Sequence, residues 1–330
     1  MKKITLIILT KKRNLIFKKF FYKLYKKLKK NLNINYLVVH SSNLNESIEL
    51  KKYLKSFTRV SYVKQKTTGF MNACFESIDY VNSKYCTFIY DDDDISLYIT
   101  QIYKNFLNTN NFSMGYGIVT SLNKKNDHFK PLTKYTYPKD VILQAYYGFN
   151  QLGIKTLPLS PICTIFKKDF FHLWKKKIIE FCKNNSFRSH FLLKKNIGPD
   201  LMIYLFNIIY EKKIIFFRPH CAKFIDHPKS MSVILGTFQL KIGYWLAKIS
   251  LLNNMNENVN KLKDKLYTFL VIDCLYIIFF NLMQIFSSKR YYIVGLLKEL
   301  FLIIRSDNKF LIIYMIRILL NKFYRAIRYR

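Results

Sequence analysis

Tyr85-Cys86-Thr87-Phe88-Ile89-Tyr90-Asp91-Asp92-Asp93-Asp94 sets the reading of this chain. Six uncharged, mostly apolar residues are followed at once by four carboxylates. The first part reads as a strand buried on both faces. Adjacent like charges repel unless a cation neutralises them, so the second part predicts a metal site at the strand end. The chain carries only 20 acidic residues against 55 lysines and arginines, a formal net charge of +35, which makes this clustering the more informative. Carboxylate oxygens suit Mg2+ or Mn2+, which fill their remaining positions with water and substrate phosphates. In a strand-end loop, alternate residues such as Asp91 and Asp93 can face one side. The alternative is a solvated acidic turn in which Asp94 caps a helix beginning at Ile95.

Outward from this stretch, short apolar runs alternate with longer amphipathic ones. Strands are expected at 3–10, 34–40, 58–63 and 85–90, and helices at 14–30, 46–55, 70–81 and 95–107. Apolar strands separated by helices imply a parallel sheet covered on both faces, with ligands collecting at the carboxyl ends of the strands. Residues 123–160 hold Pro131, Pro138, Gly148, Gly153 and Pro158 and read as a loop-rich cover. A strand at 161–166, helices from 169 to 183 and from Pro199, and strands near 214–217 and 222–225 follow. Beyond about Val233, glycine and proline nearly vanish and the pattern is helical to the end.

Half of the 330 residues are apolar, enough for a large core, and disorder is excluded as the main state. The positive charge favours nucleic acid or an anionic membrane as partner, but Lys, Ile, Asn, Phe and Tyr are inflated together, as an AT-rich coding bias also produces. Six scattered cysteines without a CxxC pair argue against a structural zinc site or disulfide framework and fit a reducing, cytoplasmic setting. The opening Met1-Lys2-Lys3-Ile4-Thr5-Leu6-Ile7-Ile8-Leu9-Thr10 is read as a first strand, not a signal peptide. No Walker, G-x-G-x-x-G or G-x-S-x-G motif appears.

Thr10-Lys11-Lys12-Arg13-Asn14 after the first strand, then Gly69-Phe70-Met71-Asn72-Ala73, then Asp91-Asp92-Asp93-Asp94, resembles in order and spacing the family 2 glycosyltransferases with the GT-A fold. The resemblance covers residues 3–235. It implies an α/β architecture, a Rossmann-like, mostly parallel sheet flanked by helices, in which 1–122 bind the nucleotide sugar and 123–235 the acceptor, with an all-helical region at 236–330. By the same resemblance Thr10, Arg13, Gly69, Asn72, Asp91 and Asp92 contact the nucleotide sugar, and Asp91, Asp93 and Asp94 hold Mn2+ or Mg2+. His40 stands where the family commonly has a base-reading aspartate. Asp200, in Gly198-Pro199-Asp200, matches the family's general base, although Pro199 occupies a position where Glu is common. Asp226-His227-Pro228-Lys229-Ser230-Met231-Ser232 looks like the family's H-x-x-S-x-S segment, implying His227 as a metal ligand or diphosphate contact and Lys229, Ser230 and Ser232 as phosphate donors.

The implied activity is inverting transfer of a sugar, from UDP in the commonest case, to a hydroxyl of a surface glycan or lipid-linked saccharide. The competing readings are a metal-dependent nucleotidyl or phosphosugar transferase and a basic nucleic-acid-binding protein; the last leaves the aspartates unexplained. Within the C-terminal region, 267–286 has the length of a membrane span but contains Asp273, so a helical bundle packed on the catalytic domain is preferred. The stretch 310–320 followed by Lys322, Arg325, Arg328 and Arg330 suits adsorption at the inner face of the cell membrane.

Overall fold

The computed structural model describes residues 3–11, 14–30, 33–91, 94–95, 115–121, 133–138, 140, 142–143, 147, 164–210, 213–224, 231–255, 260–281 and 290–306. Strands β1 (Ile4–Lys11), β2 (Ile34–Ser41), β3 (Val60–Lys64) and β4 (Tyr85–Tyr90) form a parallel block in the order β3-β2-β1-β4. Ile4, Leu6, Ile7 and Ile8 are all fully buried, so β1 has no solvent face and occupies an interior position of the sheet.

Helices cover both faces. In α1 (Asn14–Leu28), Phe17, Phe21, Leu24 and Leu28 recur at helical spacing and pack against Ile4, Leu6, Ile8, Tyr36 and Val38 of the sheet. Helix α2 (Leu44–Leu54) lies on this face too, and its N-terminus is capped by the Asn43 side chain, which accepts from the Glu46 amide.

The other face carries α3 (Phe70–Ser77), which continues into a 3-10 turn over Ile78–Tyr80, together with α4 (Lys168–Cys182) and α5 (Pro199–Tyr210). Beyond β4 the sheet becomes mixed. β8 (Thr164–Lys167) runs antiparallel to β4 and β6 (Gly115–Ser121), and β9 (Lys213–Phe224) pairs with β6, with β7 (Thr133–Pro138) and with the short β5 (Asp94–Ile95).

Two expectations are corrected here. The strands expected near 214–217 and 222–225 are one strand, β9, whose pairing with β6 shifts register between Gly117 and Val119. That irregularity lets the strand carry Pro219 without ending. The helix expected from Ile95 does not start there: Asp94 and Ile95 pair antiparallel with Lys223 and Ala222, and residues 96–107 lie outside the described set. Asp94 is thus a strand residue, not a helix cap.

The helical expectation beyond Val233 holds in α6 (Met231–Leu252), α7 (Asn260–Phe279) and α8 (Arg290–Ser306). One apolar cluster runs from Ile7 and Leu37 of the sheet through Trp174 to Trp245, Leu270 and Leu296, so these helices pack against the sheet domain. Among the described residues no helix is long and apolar enough to cross a membrane.

Candidate active site

The carboxyl ends of β1, β2 and β4 lie side by side: Thr10 is in register with His40, and Leu9 with Tyr90. Asp91 follows directly. The Thr10 hydroxyl donates to Asp91 Oδ2 at 2.5 Å, and both residues are buried. A charge-assisted bond of this kind fixes the carboxylate at the strand end.

His40 is fully buried. Its Nδ1 lies 3.2 Å from the Tyr62 hydroxyl and 3.1 Å from Ser42 Oγ, and Ser42 continues to Ser47 Oγ at 2.9 Å. Burial lowers the His40 pKa, and Glu46 opposes this weakly, so the imidazole is neutral near pH 7. Its Nε2 meets no polar partner among the described residues.

The Gly69 segment is tied down from several sides. Gly69 has φ +117°, a conformation that side chains disfavour. Gln65 donates to the Gly69 carbonyl at 2.7 Å, and Asn72 to the Thr68 carbonyl at 2.8 Å. The Glu76 carboxylate accepts from the Lys66 and Thr67 amides at 2.8 and 2.9 Å. Phe70 packs on Tyr90, the residue before Asp91, with ring centroids 5.7 Å apart.

Gly69 offers no side chain to cap α3. Asn196 does so from a distance of 125 residues in sequence: its Oδ1 accepts from the Met71 amide at 3.1 Å. Asn196 and Gly198 both have positive φ, 56° and 95°. Here the chain also touches α6. A Cβ on Gly198 would lie 2.6 Å from the Gly243 carbonyl oxygen, and one on Gly243 would lie 2.2 Å from Ile197 Cγ2. The turn 196–198 is therefore clamped between α3 and α6, and Pro199 and Asp200 open α5 directly after it.

Of the residues singled out in the sequence, the structure brings Thr10, His40 and Asp91 together at adjacent strand ends, and joins the Gly69-Asn72 segment to the turn before Asp200. Asp94 stands on β5, and Ser232 is the second residue of α6. Arg13, Asp92, Asp93, His227, Lys229 and Ser230 lie outside the described residues. Among the described residues no group of three or more His, Cys, Asp or Glu side chains is placed to hold a metal. Sequence reasoning missed Glu76, Asn196 and Gly243. Asn196 two residues before Gly198 was the one local clue, since both types favour positive φ.

The sequence matches no family model and no curated relative. The fold is similar to that of S. aureus TarS 1-349 in complex with UDP-GlcNAc, at 12% identity and a TM-score of 0.56, covering 90% of this chain and 80% of that one. It is also similar to TarS 1-349 in complex with UDP, at 14% identity and a TM-score of 0.51, covering 87% and 73%. Against the longer S. aureus TarS structure the identity is 13% and the TM-score 0.53, and the match covers 82% of this chain but 43% of that one. The architecture, a mixed sheet with a parallel half, flanking helices and a helical C-terminal region, is that of the GT-A fold.

Proposed function

We propose that this chain is a glycosyltransferase that moves a sugar from a nucleoside-diphosphate sugar to an acceptor hydroxyl with inversion. The observation that carries this reading is the convergence at one end of the parallel strands of the Thr10–Asp91 pair, the Gly69 segment and the turn that opens α5 at Asp200. Ligands of open α/β sheets collect at that end. The fold it shares with TarS, whose structures hold UDP-GlcNAc and UDP, supports a uridine nucleotide donor.

The buried Asp91 carboxylate is a hard-oxygen donor that fits Mn2+ or Mg2+. Asp91 would hold the ion with Asp93, Asp94 and His227. Such an ion, when bound, neutralises charge on the diphosphate leaving group. Thr10 fixes the Asp91 carboxylate, and Asn72, Arg13, Asp92, Lys229, Ser230 and Ser232 would bind the nucleotide sugar. His40 would support the nucleotide site through Ser42 and Ser47. Asp200 would take the proton of the acceptor hydroxyl as its oxygen attacks the anomeric carbon, and the nucleoside diphosphate departs. The acceptor would be a surface glycan or lipid-linked saccharide.

The test is incubation of the purified protein with Mn2+ and a panel of nucleotide sugars, with and without cell-envelope glycan extract, measuring nucleoside diphosphate release. Donor-specific release that disappears in Asp91→Ala is expected. Absence of both binding and release with every donor would overturn the reading.

A further inference from the structure

Helix α8 is apolar on two sides. Tyr292, Ile293, Leu296, Leu300 and Ile303 face the core. Tyr291, Val294, Leu297, Phe301, Leu302 and Ile304 face solvent, with exposures of 40% to 62%. At 100° per residue the second set covers one side of the helix. The only other exposed residues between 290 and 304 are Arg290 and Lys298. The one acid in that span, Glu299, is buried, 2.8 Å from Arg188 and 2.7 Å from Asn185. Phe279 and Phe280 at the end of α7 add two more exposed rings. A surface helix of a soluble protein normally turns charged and polar residues outward.

We infer that this face of α8 docks on an anionic lipid surface. An apolar stripe that carries cations and no exposed acid is the pattern of a helix lying in a membrane interface. A second copy of the chain fits poorly. A two-fold contact would set Arg290 and Lys298 against the same cations with no acid on either helix face to pair them. The sequence after α8 continues in the same sense: Asp307 is its last acid, and Lys322, Arg325, Arg328 and Arg330 follow the apolar 310–320.

The face is coupled to the candidate site. Tyr291 Oη and His190 Nε2 share a hydrogen bond at 3.0 Å, Glu299 holds Arg188, and Gly295 admits the Phe187 ring. These partners lie on the helical turns Ser186–Ser189 and His190–Lys194, which lead into Asn196 and so to Asp200. Docking through α8 would set a lipid-linked acceptor beside α5; that last step rests on the glycosyl-transfer reading, whereas docking itself does not.

The experiment is sedimentation of the full chain with vesicles of phosphatidylcholine alone or with about a third phosphatidylglycerol, without nucleotide sugar. Binding to the anionic vesicles is expected, and Leu297→Ser/Phe301→Ser/Ile304→Ser should weaken it roughly tenfold or more. Leu15→Ser/Ile48→Ser, which alters exposed apolar residues of α1 and α2, should bind as wild type, with circular dichroism confirming that both variants fold. No binding by wild type, or equal binding by wild type and the α8 variant, would overturn the proposal. A dimer in light scattering that the α8 variant abolishes, with vesicle binding unchanged, would overturn it in favour of a second copy. Vesicle binding without donor turnover would sink the donor reading alone, and turnover without vesicle binding would sink the docking alone.

Discussion

The two ends of the same parallel strands differ in chemistry. At the amino ends, Thr5 donates to Ser83 at 2.9 Å and Asn35 approaches the same hydroxyl at 3.4 Å, beside a cleft of about 270 Å³ lined by Thr5, Asn35, Arg59 and Ser61. At the carboxyl ends, a buried carboxylate is held by Thr10 and flanked by segments with positive φ at Gly69, Asn196 and Gly198. The Thr5–Ser83–Asn35 network carries no charge, and Arg59 beside it also has positive φ, 60°. Buried charge is costly, and it is placed where a ligand can offset it. The cleft at the amino end is thus a poorer candidate than its volume suggests.

The largest expected effect separates the ends outright. Asp91→Asn should lower the rate of nucleoside diphosphate release by about a thousandfold, the scale of several kcal/mol of lost charge stabilisation. Ser83→Ala at the other end should leave that rate within about twofold and cost about 1 kcal/mol of stability in urea unfolding. Equal losses would erase the distinction. Asp200→Asn sharpens it further: kcat should fall by about 10²–10⁴-fold while calorimetry shows donor binding intact.

A third outcome concerns the clamp alone. Gly198→Ala should destabilise by about 1–3 kcal/mol, because the new methyl group meets the Gly243 carbonyl and the backbone favours glycine. A melting temperature equal to wild type would show that the turn can shift away from α6. The smallest effect is a pH dependence. Since the folded pKa of His40 lies below that of a free imidazole, about 6.5, the unfolded chain binds the proton more readily. Its contribution is complete above that value and is lost as pH falls through the folded pKa. His40→Gln should flatten this acid-side decline in urea titrations.

Much of the parallel block was legible because buried strands such as β1 and β4 are mostly apolar runs, and Pro199 marked the start of α5 locally. What escaped depends on partners far away in sequence. Asp94 has the local chemistry of a helix cap, yet pairing with Lys223 makes it a strand residue. The two strands expected near 214–217 and 222–225 are one, because the register shift against β6 accommodates Pro219 within it. The Asn196 cap on Met71 and the contact of Ile197 with Gly243 leave no periodic trace at all.

The contact between Ile197 and Gly243 has a consequence for redesign. Residues 196–200 look like a short exchangeable cassette for altering acceptor choice. They are instead interlocked with α3 through Met71 and with α6 through Gly243, two elements distant in the chain. A chimera that imports this turn from another protein must import its matching seats on both helices, or the graft will arrive without a socket.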